Sequence, residues 1–260
     1  MEKVIVIKVG GATLGSHDTA IKDMVELQRQ GKSLLVVHGG GKLITEWLAK
    51  QGISSRFVQG ERVTDQATLQ VVISVLAGLV NKEIVAAING LGGRAVGISG
   101  VDGALVEGRI GDKEKGYVGE VVEVNTAILK ALLESTFIPV VAPVGLNSFA
   151  RPAGSPPTLN FNADVVAGEI AAATGAEKLI FLTDVAGVCD ESGKLLPQLS
   201  PSEAEAVVAS GVASGGMIPK IKACLRALSN TQATCIIDGT KPHVLLREIK
   251  EGGSGTTIGV

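Results

Sequence analysis

Residues 4–11 read Val4-Ile5-Val6-Ile7-Lys8-Val9-Gly10-Gly11. An unbroken run of β-branched residues predicts a strand buried on both faces, as parallel sheets use. The run ends in a lysine and two glycines, an unfavourable finish for a buried strand. The same grammar returns further on: residues 33–37 form a second short apolar run, and His38-Gly39-Gly40-Gly41-Lys42 follows it directly. In an open α/β sheet, ligands bind beyond the carboxyl ends of the strands. Glycines there let backbone N–H groups approach an anion, and a helix start behind them adds a favourable dipole. The two clusters point to a phosphate held by bare backbone, with tight strand-to-helix turns as the alternative.

Outward from these clusters, helical patterns occupy residues 19–30, 42–50, 66–88, 125–134, 163–174, 202–209 and 219–229. In the longest, Leu69, Val72, Ile73, Leu76, Leu79 and Val80 recur at helical spacing and predict one apolar stripe. Further strands are predicted at residues 95–98, 138–142, 179–182 and 234–237. Strand, turn and helix in repetition mean βαβ units and a mostly parallel sheet covered on both faces. Residues 104–124 read as short strands or hairpins. Gly145 to Thr158, with Pro152, Pro156 and Pro157, reads as a long unstructured stretch, a boundary or a functional loop.

A chain of 260 residues suits one large domain or two packed lobes. With 45% hydrophobic and 19% charged residues it is not a disordered chain. A net charge of −2 argues against work on nucleic-acid phosphates. Cys189, Cys224 and Cys235 are too few and too scattered for a disulfide framework or a zinc site. No signal-type apolar run and no long uncharged apolar stretch is present, so a cytoplasmic protein without a membrane span is expected. Glycine is the outlier: 34 residues, where average usage gives about 18.

The familiar phosphate motifs do not explain that excess. Gly-x-x-x-x-Gly-Lys-Ser/Thr is absent. Gly90-Leu91-Gly92-Gly93-Arg94-Ala95 fits a dinucleotide fingerprint only in letters. It lies after a helix and before a strand, so a helix C-terminal turn is predicted there. Gly60-Glu61-Arg62-Val63-Thr64-Asp65 precedes the long helix, with Thr64 or Asp65 as N-cap and Arg62 able to grip a carboxylate or phosphate. In Leu159-Asn160-Phe161-Asn162-Ala163-Asp164, Asn162 caps the next helix and Asp164 suits its first turn; neither role explains Asn160. Gly215-Gly216-Met217-Ile218-Pro219-Lys220 puts a lysine at a helix start, where cations are disfavoured, and so hints at an anion nearby.

These segments, with Gly116-Tyr117-Val118-Gly119-Glu120-Val121 and Thr183-Asp184-Val185-Ala186-Gly187-Val188, resemble the amino acid kinase family in the family's own order along nearly the whole chain. The resemblance implies a three-layer αβα sandwich around a mainly parallel sheet of about eight strands. It implies one domain over residues 1–260: a lobe of residues 1–160 that binds N-acetylglutamate and forms a homodimer, and a lobe of residues 161–260 that binds ATP. The implied reaction moves the γ-phosphoryl of ATP to the side-chain carboxylate of N-acetylglutamate, the second step of arginine biosynthesis. Mg²⁺ arrives on the nucleotide phosphates, with no protein metal site. Matched position by position, Lys8 and Lys220 stabilise the transferring phosphoryl, Gly11 and Gly41 donate backbone N–H groups to it, and Asp164 orients the lysines. Gly40, Gly41, Arg62 and Asn160 match contacts to N-acetylglutamate, Arg62 on the α-carboxylate. Thr183, Asp184, Val185, Ala186, Gly187 and Val188, then Val212, Ala213 and Ser214, match nucleotide contacts, as does Lys220.

The chemistry agrees with these residue types. A carboxylate acceptor is ionised at neutral pH, with an ordinary pKa of about 4.3, and needs no general base. The task is then positioning and charge stabilisation. The chain departs from the pattern at Val101, where relatives carry lysine, and in the proline-rich stretch before Asn160. It starts shortly before Lys8, and the resemblance then implies little inhibition by arginine. N-acetyl-aminoadipate, carbamate and UMP are alternative acceptors within the same fold. A silent nucleotide-binding subunit is disfavoured by both lysines and Asp164, and a dinucleotide oxidoreductase rests on Gly90 to Ala95 alone.

Overall fold

Side-chain parity along the first strand separates two hydrophobic cores. The computed structural model describes residues 3–10 and 19–259. In β1 (Ile5–Val9), Ile5, Ile7 and Val9 enter one core, while Val4, just before the strand, and Val6 enter the other. Helix α1 (Ala20–Arg29) leads to β2 (Leu34–His38), which divides the same way: Leu34 and Val36 to one side, Leu35 and Val37 to the other. Period-two alternation between two buried faces is what a sheet covered by helices on both sides requires.

Helix α2 (Gly41–Lys50) is followed by a short hairpin of β3 (Phe57–Val58) and β4 (Glu61–Arg62). Asp65 then caps α3 (Gln66–Ile73), its side chain accepting from Thr68 N at 2.8 Å. A wider π-helical segment (Ser74–Val80) joins α3 to α4 (Asn81–Gly90) without a break. The predicted stripe changes here. Val80 is buried as expected, but Ile73 and Leu79 are only half-buried, whereas Val75 and Asn81, outside the stripe, are buried. Each π turn holds more residues than an α turn, so the inward face shifts along the chain and Asn81 points into the protein. By length and a mean hydropathy of 2.0 over its most apolar window, the helix Gln66–Gly90 could cross a membrane; its inward face packs on the sheet. Its end turns at Gly92, φ +82°, as the C-terminal turn reading expects.

The chain continues through β5 (Ala95–Ser99), β6 (Val106–Ile110), β7 (Val118–Val124), α5 (Ala127–Glu134), β8 (Ile138–Ala142), β9 (Val144–Asn147) and β10 (Thr158–Phe161). Asn162 Oδ1 caps α6 (Ala163–Thr174), accepting from Asp164 N at 2.8 Å. Then come β11 (Lys178–Thr183), β12 (Gln198–Leu199), α7 (Pro201–Ala209), α8 (Met217–Ala227), β13 (Ala233–Asp238), α9 (Val244–Lys250) and β14 (Gly255–Gly259). The last helix and strand lie beyond the predicted elements.

The central sheet has eight strands in the order β12-β14-β13-β11-β1-β2-β8-β5. Only the β13–β14 pair is antiparallel. Helices α1, α2, α4 and α9 supply residues to one core, and α5, α6, α7 and α8 to the other. This is the expected three-layer α/β sandwich.

A small closed barrel, β10-β7-β6-β9, stands beside the sheet. The hairpin expected within residues 104–124 is β6 with β7. The stretch Gly145 to Thr158 is not loop throughout: β9 pairs with β6 and β10, leaving residues 148–157 irregular. The Phe161 ring fills the barrel. A Cβ would stand 2.8 Å from that ring at Gly108 and 2.9 Å at Gly145, and would collide with it at Gly119. The ring alone excludes a side chain at Gly119, while at Gly108 and Gly145 it acts together with a closer backbone carbonyl, of Glu120 and Val106 respectively.

Candidate active site

β1 lies between β11 and β2 at the middle of the sheet. The strands on its two sides run to different halves of the chain, so a crevice opens at its carboxyl end. Lys8 belongs to β1 itself, on the face that Val4 and Val6 share, the face covered by α6 and α8. Its ammonium reaches Asp164 Oδ1 at 2.6 Å. Lys220, in the first turn of α8, reaches Asp164 Oδ2 at 3.1 Å and the Gly216 carbonyl at 3.1 Å. One carboxylate thus holds two ammonium groups that are far apart in sequence. Burial pushes the Asp164 carboxyl up, but Lys8 and Lys220 outweigh this and hold it below the ordinary carboxylate range. The cluster is ionised and carries one net positive charge.

A cleft of about 380 Å³ opens above it. Its walls bring together Lys8, Gly40, Gly41, Arg62, Asn160, Asp164 and Lys220, seven of the residues singled out by sequence. Gly11 lies outside the described residues. The N–H groups of Gly40 and Gly41 have no hydrogen-bond partner among the described residues and stand at the start of α2, an arrangement suited to an anion.

Arg62 is buried at the end of the β3–β4 hairpin. It donates to Ser55 Oγ at 2.6 Å, to Thr45 Oγ1 at 2.8 Å and to the Gly41 carbonyl at 2.9 Å. Its guanidinium lies 4.8 Å from the centre of the exposed Phe57 ring. Burial lowers its pKa from the ordinary value. These bonds set the plane of the guanidinium and leave N–H donors over. Asn160 Nδ2 donates to Thr64 Oγ1 at 3.1 Å, so the barrel strand β10 is tied to the turn that carries Arg62. Thr45, Ser55 and Phe57 escaped the sequence reading. Only Thr45 carried a signal, one helical turn after Gly41.

The segments expected to contact nucleotide lie apart from this cleft lining. Thr183 ends β11, with Asp184 and Val185 exposed beyond it. Gly187 and Val188 are buried, and Val188 N donates to Thr256 Oγ1 at 2.8 Å. Ala213 is buried, Val212 half-buried and Ser214 exposed; the Ser214 carbonyl receives Met217 N at 3.1 Å, where α8 begins.

Beneath the glycines, on the opposite face from Lys8, His38 and Asn81 are fully buried. Sequence reading quoted His38 without a role and passed over Asn81. Burial lowers the His38 imidazole to about 4, and the Lys8 and Lys82 ammonium groups act in the same direction. It is therefore neutral at neutral pH.

Residues 3–238 match the amino acid kinase family. An acetylglutamate kinase of Dehalococcoides mccartyi (strain CBDB1) is 51% identical over 255 residues, covering 98% of this chain and 94% of that protein. An acetylglutamate kinase of Cereibacter sphaeroides (strain ATCC 17029) is 48% identical over 260 residues, covering 98% and 87%. A crystal structure of a Streptococcus mutans UA159 protein superposes with a TM-score of 0.82 at 27% identity, covering 100% of this chain and 99% of that one.

Proposed function

Because the chain belongs to the amino acid kinase family, we propose that it transfers the γ-phosphoryl of ATP to the side-chain carboxylate of N-acetylglutamate, giving N-acetylglutamyl 5-phosphate and ADP. The observation that carries this reading is the buried carboxylate of Asp164 clamping Lys8 and Lys220 at the floor of a glycine-walled cleft. The relatives of about half identity named acetylglutamate kinase support the choice of acceptor.

Both reactants are anions, so their approach is opposed by charge. Lys8 and Lys220 offset that repulsion, and Asp164 keeps each ammonium in place before substrate arrives. The N–H groups of Gly11 and Gly41 are donors to the phosphoryl oxygens, and Gly40 and Gly41 contact N-acetylglutamate. Arg62 holds the α-carboxylate with the donors its structural bonds leave over, and Asn160 completes the amino-acid site. The side-chain carboxylate oxygen forms the new bond to phosphorus as the bond to ADP breaks. No proton is transferred in that step.

Nucleotide contacts fall to residues 183–188, to Val212, Ala213 and Ser214, and to Lys220. The acyl-amino acid belongs to residues 1–160 and ATP to residues 161–260. Among the described residues of the cleft lining, both acidic side chains are already paired, Glu61 with Lys115 at 2.6 Å and Asp164 with the two lysines. Neither offers a free carboxylate to a metal, which fits Mg²⁺ arriving on the ATP phosphates. The enzyme acts as a cytoplasmic homodimer in arginine biosynthesis.

The test is ADP release with a panel of acceptors. N-acetylglutamate is expected to give the highest kcat/KM, above N-acetyl-aminoadipate, glutamate, carbamate and UMP. Preference for any other member of the panel would overturn the assignment.

A further inference from the structure

Resting on the phosphoryl-transfer reading, we propose that His38 is a positioning residue for the reaction. Held by Asn81, it fixes the Gly39–Gly40 peptide so that the Gly40 N–H is presented to the transferring phosphoryl group.

His38 Nδ1 lies 2.9 Å from the Gly39 carbonyl oxygen. A carbonyl only accepts, so Nδ1 carries the proton and Nε2 is the bare nitrogen of the neutral ring. Asn81 Nδ2 faces that bare nitrogen at 3.2 Å. The same amide nitrogen lies 2.9 Å from the Val140 carbonyl and 3.2 Å from the Ile98 carbonyl, which locks Asn81 to the ends of β8 and β5. Asn81 Oδ1 accepts from the Lys82 ammonium at 3.0 Å. Donors therefore run in one direction, from Lys82 through Asn81 and His38 to the Gly39 carbonyl.

That direction matters because a trans peptide points its C=O and N–H opposite ways. With the Gly39 oxygen drawn to His38, the Gly40 N–H is turned away from His38. Gly40 lines the cleft, and its N–H has no partner among the described residues. A charged donor at the head of such a chain polarises each bond after it, so the Gly40 N–H becomes a stronger donor as well as a fixed one.

Two sequence oddities follow. Gly97 interrupts the apolar strand β5 because the Asn81 amide occupies the space a Cβ would need. The π segment before Asn81 turns that side chain inward and closes over the loop. A Cβ on Gly40 would lie 2.7 Å from Leu76 Cδ2 and 3.3 Å from Val80 Cγ2. The loop is thus gripped from both ends of the same helical segment.

The test compares His38→Asn with His38→Gln by steady-state kinetics and thermal unfolding. The Asn amide falls near the Nδ1 position and can still donate to the Gly39 carbonyl. The Gln amide falls near the Nε2 position and cannot. His38→Asn is expected to keep kcat within about fivefold of the parent. His38→Gln is expected to lose about 10- to 100-fold in kcat, with both KM values within about threefold. Equal kcat for the two variants, a loss confined to KM, or losses that follow Tm would overturn the proposal. Asn81→Ala supplies the same test if His38→Gln does not fold. It removes the amide that holds Nε2 and leaves the ring free to turn away from the Gly39 carbonyl, so kcat is expected to fall; a kcat equal to the parent's would overturn the proposal. Nitrogen-15 shifts of the parent ring give a readout apart from turnover: the Nδ1–H tautomer is expected, and Nε2–H would contradict it. A parent enzyme without acceptor-dependent ADP release would instead overturn the functional reading, and this proposal with it.

Discussion

Lys8 occupies a strand position whose neighbours on the same face are valines, and it is tolerated there because Asp164 stands 2.6 Å away. Removing that carboxylate leaves two ammonium groups near one another without a counter-charge. Breaking one side of a buried pair costs about 3–5 kcal/mol. Asp164→Asn, which keeps the shape, is expected to lower stability in urea by an amount of that order and to lower kcat by about 10²–10³-fold. Lys8→Ala and Lys220→Ala are expected to lower kcat far more than they raise either KM, and near-normal kcat would contradict their role. Arg62→Lys is expected to raise KM for the amino-acid substrate and to leave KM for ATP largely unchanged, because lysine cannot reproduce a planar fork.

His38 sets a pH dependence. Its folded pKa, about 4, lies below the ordinary 6.5. Between those values the unfolded chain binds a proton that the folded protein refuses, so stability rises with pH across that window. The contribution is complete above about pH 6.5 and is lost as pH falls towards 4, a change of about 3 kcal/mol. Asp164 acts lower: its folded pKa is depressed, so its contribution is present above the ordinary carboxylate value and is lost below about pH 4. Tm measured against pH is expected to fall between pH 6.5 and 4.5, and His38→Asn to flatten that fall.

At the scale of elements, the barrel is built around one ring. A Cβ at Gly119 collides with Phe161 and must displace it or the strand. Gly119→Ala is expected to cost about 1–3 kcal/mol by overpacking. Phe161→Leu in the same chain is expected to recover part of the loss, as measured by denaturant midpoints. Failure of any recovery would place the strain elsewhere. The barrel also matters to the site, since β10 ends at Phe161 and Asn162 immediately caps the helix that carries Asp164.

Elements with strong local signals were legible in sequence. The residue 138–142 strand and the residue 163–174 helix match β8 and α6 end to end, because one is a continuous apolar run and the other has an asparagine cap and a glycine stop. β9 was not legible: Val144–Asn147 is too short for alternation to register, and its partners lie in other strands. The π segment was hidden for a different reason. Its apolar residues satisfy helical spacing, and only tertiary packing selects Val75 and Asn81 over Ile73 and Leu79 for the inward face.

Across the whole molecule, the sequence marked each lysine as out of place but could not show that one carboxylate serves both. That requires the sheet to bring β1, α6 and α8 to one point. It also could not show Arg62 already bound to Ser55 and Thr45, since those contacts cross from hairpin to helix. The expected homodimer predicts a solution mass twice that of the chain by light scattering; a monomer at all concentrations would contradict it.

The central claim is that phosphorus is delivered to the side-chain carboxylate of N-acetylglutamate by the Lys8–Asp164–Lys220 cluster. An acyl phosphate reacts with hydroxylamine to give a hydroxamate, so trapping the product tests the claim directly. With MgATP and N-acetylglutamate, the protein is expected to form the side-chain hydroxamate in equal amount to ADP, and Lys8→Ala to form almost none. ADP without hydroxamate, or hydroxamate formed undiminished by Lys8→Ala, would contradict the account.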